Sequence, residues 1–197
     1  SLSYTYSDGL PVQPGHTAHN WRSWFNLHYY CTHSLGPVMA ITGTRPVAVE
    51  TFPVKPRLSG YLRNRSEKGT MAPSLIQMDN GSIVRNLMGT STSDSHHQRM
   101  WGTRGAFEIA RDGVHLRLGA AGNAPMMAVK PEWEGLGELA ARTGHGGGDF
   151  WTLYHFAREI LTGEKAPFDI YSGCDVTLPG ILARRSSLQG GKPLEVP

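Results

Sequence analysis

Apolar and polar positions alternate at the start of the chain. Leu2, Tyr4 and Tyr6 interleave with Ser3, Thr5 and Ser7, the period-2 pattern of a half-buried strand ending at Asp8-Gly9. The period then lengthens. Trp21, Trp24, Phe25 and His28 fall on one helical face and predict a helix over 19–30. A short apolar helix follows over 35–41, with a break near His33 and Gly36-Pro37 at its opening, since proline is tolerated in a first turn. The middle of the chain reads as strand: 46–54, then 75–78 and 83–87 joined by Asp79-Asn80-Gly81, then 107–110 and 114–118 joined by Arg111-Asp112-Gly113. Asn-Gly predicts a tight type I′ turn with positive φ at its central residues. Long loops are expected over 55–73, 89–96 and 119–130.

The last third returns to the helical period. Asp149 stands at a helix start, and Phe150, Leu153, Tyr154, Ala157, Ile160 and Leu161 form the stripe of a helix that Gly163 ends. A second helix is expected over 170–185, interrupted near Pro179-Gly180, with a short terminal strand at 194–196. Strand runs with helices segregated at the ends predict an α+β domain over 1–197: one large open, mainly antiparallel sheet with helices on one face.

Composition narrows the function classes. With 24 Gly and 13 Pro among 197 residues, ordered turns abound. No apolar run approaches a membrane span, and no signal-peptide core stands at the N-terminus. The chain begins at Ser rather than Met, so it reads as a piece of a longer protein or a processed one, and its compartment is open. Nineteen basic against sixteen acidic residues, scattered along the chain, make no polyanion stripe, so neither nucleic acid nor membrane is an expected partner. Cys31 and Cys174 have no disulfide or zinc spacing and are expected to be inert thiols in apolar surroundings.

Two clusters carry candidate chemistry. The first is Trp21-Arg22 followed by Tyr29 through Pro37, which brings a guanidinium, phenols and the His33 imidazole to one helix break. Arginine holds sugar hydroxyls or carboxylates, histidine titrates near neutrality, and tyrosine exchanges a proton when its pKa is lowered. The plainer account is aromatic packing with His33 hydrogen-bonded locally. The second is Gly144-His145-Gly146-Gly147-Gly148-Asp149, where glycines allow close approach of a ligand to a helix start. Its plainer account is a connector with His145 idle. His16 and His19 lack a third ligand of evident spacing, His96-His97 lies in a polar loop, and His115 and His155 sit inside elements, so a zinc hydrolase is the weakest alternative. No dinucleotide fingerprint, nucleophile elbow or P-loop is present.

In that order along the chain, Trp21-Arg22, Tyr30-Cys31-Thr32-His33-Ser34-Leu35-Gly36-Pro37-Val38, Gly102 through Glu108, and His145-Gly146-Gly147-Gly148-Asp149-Phe150 resemble the C-terminal domain of the glucose–fructose oxidoreductase/inositol dehydrogenase/MocA family. The nearest branch is its NAD-dependent glycosidases, the α-N-acetylgalactosaminidases. The resemblance implies a substrate-binding and oligomerisation domain whose NAD or NADP is held mainly by a separate N-terminal Rossmann domain. It implies a sugar or glycoside substrate and self-association through the open sheet face. The implied reaction is oxidation at C3, elimination, water addition and re-reduction, or the redox step alone in a dehydrogenase. Carried over by motif, Tyr30, His33 and His145 are catalytic, and Arg22 and Asp149 bind substrate. Cys31 stands where these glycosidases carry Pro, and Gly148 where they usually carry Met. A non-catalytic carbohydrate-binding module of the same fold is the alternative.

Overall fold

The computed structural model describes residues 26–52, 71–89, 97–110, 112–119 and 124–197. The expected strand at 2–6, most of the helix at 19–30 and most of the loops at 55–73 and 89–96 lie outside them. The described chain forms two compact units, one from the residues up to 89 together with 170–197, the other from 97–169. The α+β class stands, with open antiparallel ladders that divide into two four-stranded sheets, one in each unit.

In the first unit, β1 (Pro46–Glu50), β2 (Met71–Met78), β3 (Ile83–Gly89) and β8 (Leu194–Glu195) pair in the order β3-β2-β1-β8. β2 begins at Met71, inside the loop expected at 55–73 and before the strand expected at 75–78, and it contains Pro73. Proline's missing donor is tolerated there because the β1 ladder reaches only as far as Leu75, and the Pro73 carbonyl accepts from Thr51 Oγ1 instead. The β2–β3 turn is not type I′. Met78 O accepts from Gly81 N, Met78 N donates to Ser82 O, and only Gly81 has positive φ. This is a three-residue loop with a left-handed glycine, so Asn80 keeps an ordinary backbone.

Two helices pack on this sheet: α1 (Thr32–Thr42) and, from the end of the chain, Ile170–Leu188. Leu35, Met39, Val49, Ile76, Met78, Val176, Ala183 and Val196 make the core. Each large side chain so buried contributes roughly 1.5–3 kcal/mol. On the sheet's other face Leu75, Ile83 and Leu87 are exposed.

The second unit holds β4 (Gln98–Gly102), β5 (Gly105–Ala110), β6 (Gly113–Leu118) and β7 (Met127–Val129) in chain order. β4 and β7 were not expected. β7 is a three-residue edge strand inside the loop expected at 119–130, and β4 mixes polar and apolar residues on both faces. Glu108 of β5 accepts from Arg99 and pairs with His97, both at 2.9 Å, so His97 is anchored rather than idle in a loop. After the sheet come α2 (Gly137–Ala140), a 3-10 turn at His145–Gly147 and α3 (Gly148–Thr162), closed by left-handed Gly163 as expected.

The final helix, α4 (Ile170–Leu188), corrects a sequence expectation. It runs unbroken through Pro179. Proline removes one backbone donor, and Gly180 leaves a hollow beside it. The 3-10 turn Leu27–Cys31 fills that hollow. A Cβ at Gly180 would come within 2.5 Å of the His28 carbonyl oxygen and 2.8 Å of Cys31 Sγ. The Cys31 thiol donates to Val176 O at 3.3 Å. The helix expected over 19–30 is, where described, this tighter turn. It passes directly into α1, so His33 sits inside the first turn of α1 rather than at a break, and Pro37 lies in the second turn.

His28 is buried under the turn. Asn26 Oδ1 accepts from both His28 N (3.0 Å) and His28 Nδ1 (2.5 Å), which sets the Nδ1–H tautomer. Burial, helped by the nearby Arg184 charge, pushes the imidazole pKa down to about 4.

Two outcomes follow from this docking. Gly180→Ala is expected to lower unfolding free energy by about 1–3 kcal/mol through overpacking, measured by urea denaturation at pH 7. His28 binds its proton more readily unfolded than folded, so its contribution is complete above pH 6.5 and drains away as pH falls toward 4. Stability is expected to drop by about 2–3 kcal/mol across that window from this group. The drop should shrink in a His28→Gln variant, and an unchanged slope in that variant would refute the assignment.

Candidate functional site

α1 presents its site residues because of what it buries. Cys31, Leu35 and Met39 recur at i, i+4 and i+8 and face the core. His33 falls on the far side of that stripe and is exposed, and Tyr30, three residues earlier, lies beside it. The two rings stack, with centroids 4.5 Å apart and planes at 24°. Thr32 Oγ1 lies 3.2 Å from His33 Nδ1. A phenol and an imidazole are thus held face to face on the outer side of α1.

The same docking silences the neighbouring thiol. Burial pushes Cys31 up to about 11, against a smaller opposing pull from the Gly180 amide. Too little thiolate forms near neutrality for nucleophilic work. Cys174 differs from the expectation of an apolar setting, because the turn of α4 puts it on the exposed side.

In the second unit the backbone itself builds the site. His145, Gly146 and Gly147 all have positive φ, at 54°, 62° and 98°. For His145 this is an uncommon and costly conformation. It is held because the His145 ring reaches across the turn to Asp149, with Nδ1 donating to Oδ1 at 2.8 Å. Gly144 has an ordinary φ, but any side chain there would occupy the place of the Asp149 carboxylate. Gly147 fits against Ala140 of α2, and Thr143 Oγ1 accepts from the Phe150 amide at 3.2 Å, closing the start of α3. The carboxylate of Asp149 also sits in the first turn of α3, where the helix dipole favours negative charge.

With Nδ1 committed to Asp149, the imidazole keeps Nε2 as its outer nitrogen, on a side chain that is 72% exposed. A carboxylate that fixes one tautomer in this way makes Nε2 the proton acceptor. Chemically this pair suits proton exchange or hydrogen bonding to a polar ligand.

Of the expected site residues, the structure brings Tyr30 to His33 in the first unit and His145 to Asp149 in the second. Arg22 lies outside the described residues. Sequence reasoning missed an aromatic set in the same unit as the second pair. Trp133, Phe150, Trp151, Tyr154 and His155 make a chain of ring contacts. Its signal was the density of aromatics at helical spacing after Asp149, which reads equally as core packing. Among the described residues no three metal-ligating side chains gather.

The chain's sequence matches the glycosyl hydrolase 109 C-terminal domain model over residues 5–197. A glycosyl hydrolase family 109 protein of Saccharopolyspora erythraea is 24% identical over 207 residues, covering 90% of this chain and 43% of that protein. The chain spans less than half the length of the curated relatives it matches. Among solved structures, an inositol dehydrogenase homologue from Azotobacter vinelandii, in complex with NAD+, superposes with a TM-score of 0.63 at 16% identity, covering 97% of this chain and 55% of that one. The aldose-aldose oxidoreductase of Caulobacter crescentus, in complex with glycerol, gives 0.61 at 18% identity, covering 84% and 45%. These structures share the fold, as the resemblance to the glucose–fructose oxidoreductase/inositol dehydrogenase/MocA family implied. With that fold and a match over nearly its whole length, the chain belongs to the glycosyl hydrolase 109 C-terminal domain family.

Proposed function

We propose that this chain is the substrate-binding part of a sugar-active enzyme that uses NAD or NADP, either a glycoside hydrolase or a sugar oxidoreductase. The observation that carries the reading is the His145–Asp149 pair, an exposed imidazole with its tautomer set by a carboxylate. The proposed overall reaction oxidises the sugar at C3, eliminates the C1 group, adds water and reduces the ketone again. Its redox part belongs to the nicotinamide, and its proton part to side chains.

Every ladder among the described residues is antiparallel, and none runs strand, glycine turn, helix in the way a dinucleotide cradle does. The reading gives this chain the sugar side of the site, with the dinucleotide held mainly by a separate domain. Tyr30 and His33 are the acid/base candidates: a phenol stacked on an imidazole can share a proton with a sugar C2 or with a departing oxygen. His145 orients a sugar hydroxyl through Nε2. Asp149 holds His145 with Oδ1 and, being half exposed, has room for a sugar hydroxyl donor as well. Arg22 joins them on the substrate.

In the full-length enzyme, His33→Ala or His145→Ala is expected to lower kcat/KM by roughly 10²–10⁴ while leaving the melting curve near wild type. Steady-state kinetics on a glycoside and on the free sugar measure this, and full activity in both variants would sink the reading. The 197-residue chain alone is expected not to bind NAD in a calorimetric titration, and tight stoichiometric binding would overturn the two-part architecture. The exposed Leu75, Ile83 and Leu87 on the open face of the first sheet suit a second copy of the chain. Sedimentation velocity is expected to show concentration-dependent self-association, with a strict monomer as the contrary result.

A further inference from the structure

Trp133 is a large, exposed side chain of the second unit that the proposed reaction leaves without a role. It precedes α2, and its position is tightly set. Its Cβ lies 2.9 Å from where a Cβ would stand on Gly137, so only glycine at 137 admits it. One side of the indole rests on Trp151, with centroids 4.9 Å apart and planes at 37°. Trp151 is in turn stacked on His155 at 5.8 Å and meets Tyr154 edge-on at 5.6 Å. Trp133 nevertheless remains 65% exposed. An indole anchored from behind by a ring chain and open in front is a prepared flat surface, with little ordering left to be done when something lands on it.

Its neighbours say what lands there. α2 begins four residues after Trp133, and its Ala140 packs 3.3 Å from the Gly147 position, in the turn that carries His145. The indole and the His145–Asp149 pair therefore belong to one stretch of chain, 133–149, in which α2 packs against the turn. A ligand that uses both must offer an apolar face to the indole and hydroxyl groups at its edge to an imidazole nitrogen and a carboxylate. A pyranose ring has that form, with axial C–H groups on its face and hydroxyls around its rim.

We propose that Trp133 is the stacking platform of this site, receiving the C–H face of a pyranoside whose hydroxyls reach His145 and Asp149. The proposal rests on the sugar-active reading for its ligand class, and it adds the residue that sets ring recognition. Trp151 acts as a positioning residue, holding the platform from behind.

The test is calorimetric binding of methyl N-acetyl-α-D-galactosaminide and methyl α-D-glucopyranoside to the full-length protein, with myo-inositol and glycerol as polyol controls. Trp133→Ala is expected to weaken binding of at least one pyranoside by about three- to tenfold, the range for loss of one aromatic stacking partner. Trp133→Phe should recover most of it. Trp133→Leu, which keeps apolar area without the flat face, should not, and it decides the matter if the alanine variant fails to fold. Trp101→Ala, which removes another exposed indole on β4, should bind as wild type. In kinetics, Trp133→Ala should act mainly on KM. Unchanged binding in Trp133→Ala, recovery by Trp133→Leu, an equal loss in Trp101→Ala, or no pyranoside binding to the wild-type protein would each overturn the platform. Pyranoside binding through Trp133 without turnover would keep the platform and remove the enzymatic reading.

Discussion

The docking of the Leu27–Cys31 turn against Pro179-Gly180 is the contact on which the first unit depends. Proline takes a donor out of α4 and glycine takes away a side chain, and the gap admits a backbone carbonyl and a thiol from the other end of the sequence. That contact orients α1. Once Cys31 points into α4, Leu35 and Met39 follow it into the core by helical period, and His33 with Tyr30 must face outward. Position 31 thus belongs to the packing, while positions 30 and 33 turn away from it, although they are near neighbours in the chain. The buried Asn26–His28 pair beneath the turn shows that the arrangement carries a polar cost, met in part by two hydrogen bonds to one amide oxygen, while His28 Nε2 stays buried without a partner among the described residues.

The second unit solves a similar problem by backbone strain. Three successive left-handed residues turn the chain so that His145 meets Asp149 four positions later. Two of the three are glycines, for which the conformation costs little. His145 is the one that bears the strain, and it is also the residue with the exposed imidazole. Strain borne by a non-glycine residue at a polar, solvent-facing position is the pattern expected of a functional site. Gly144 contributes differently, by leaving space for the carboxylate rather than by adopting positive φ.

Much of this was legible beforehand, and the failures have identifiable causes. The α+β class, six of the eight described strands, the α1 and α3 helices and the Gly163 stop all follow from period and turn chemistry. The Asn80-Gly81 dipeptide misled because it suits two turns, and the one chosen depends on the register that β2 and β3 adopt. Pro179-Gly180 misled because local propensity counts the lost hydrogen bond and cannot count the partner that packs into the hollow. β7 was invisible because three residues of edge strand carry no period, and only β6 specifies it. His97 looked like a solvated loop residue because nothing local shows that Glu108 stands across the ladder.

What the sequence determined by itself was the set of residue types and their local conformations. These include the glycines that permit the turn at 144–148, the apolar period that buries Cys31, Leu35 and Met39, and the motifs that mark the family. Local rules reach only a few residues, since hydrogen bonds and side-chain neighbours within a helix or turn lie at i+3 or i+4. Tertiary structure decided what lies beyond that reach. It kept α4 whole through its proline, raised the Cys31 thiol and lowered the His28 imidazole by burial, and left the Trp133 indole anchored on Trp151 with one face open. Each of these depends on atoms from distant parts of the chain meeting at a few ångströms, a relation that residue order does not contain.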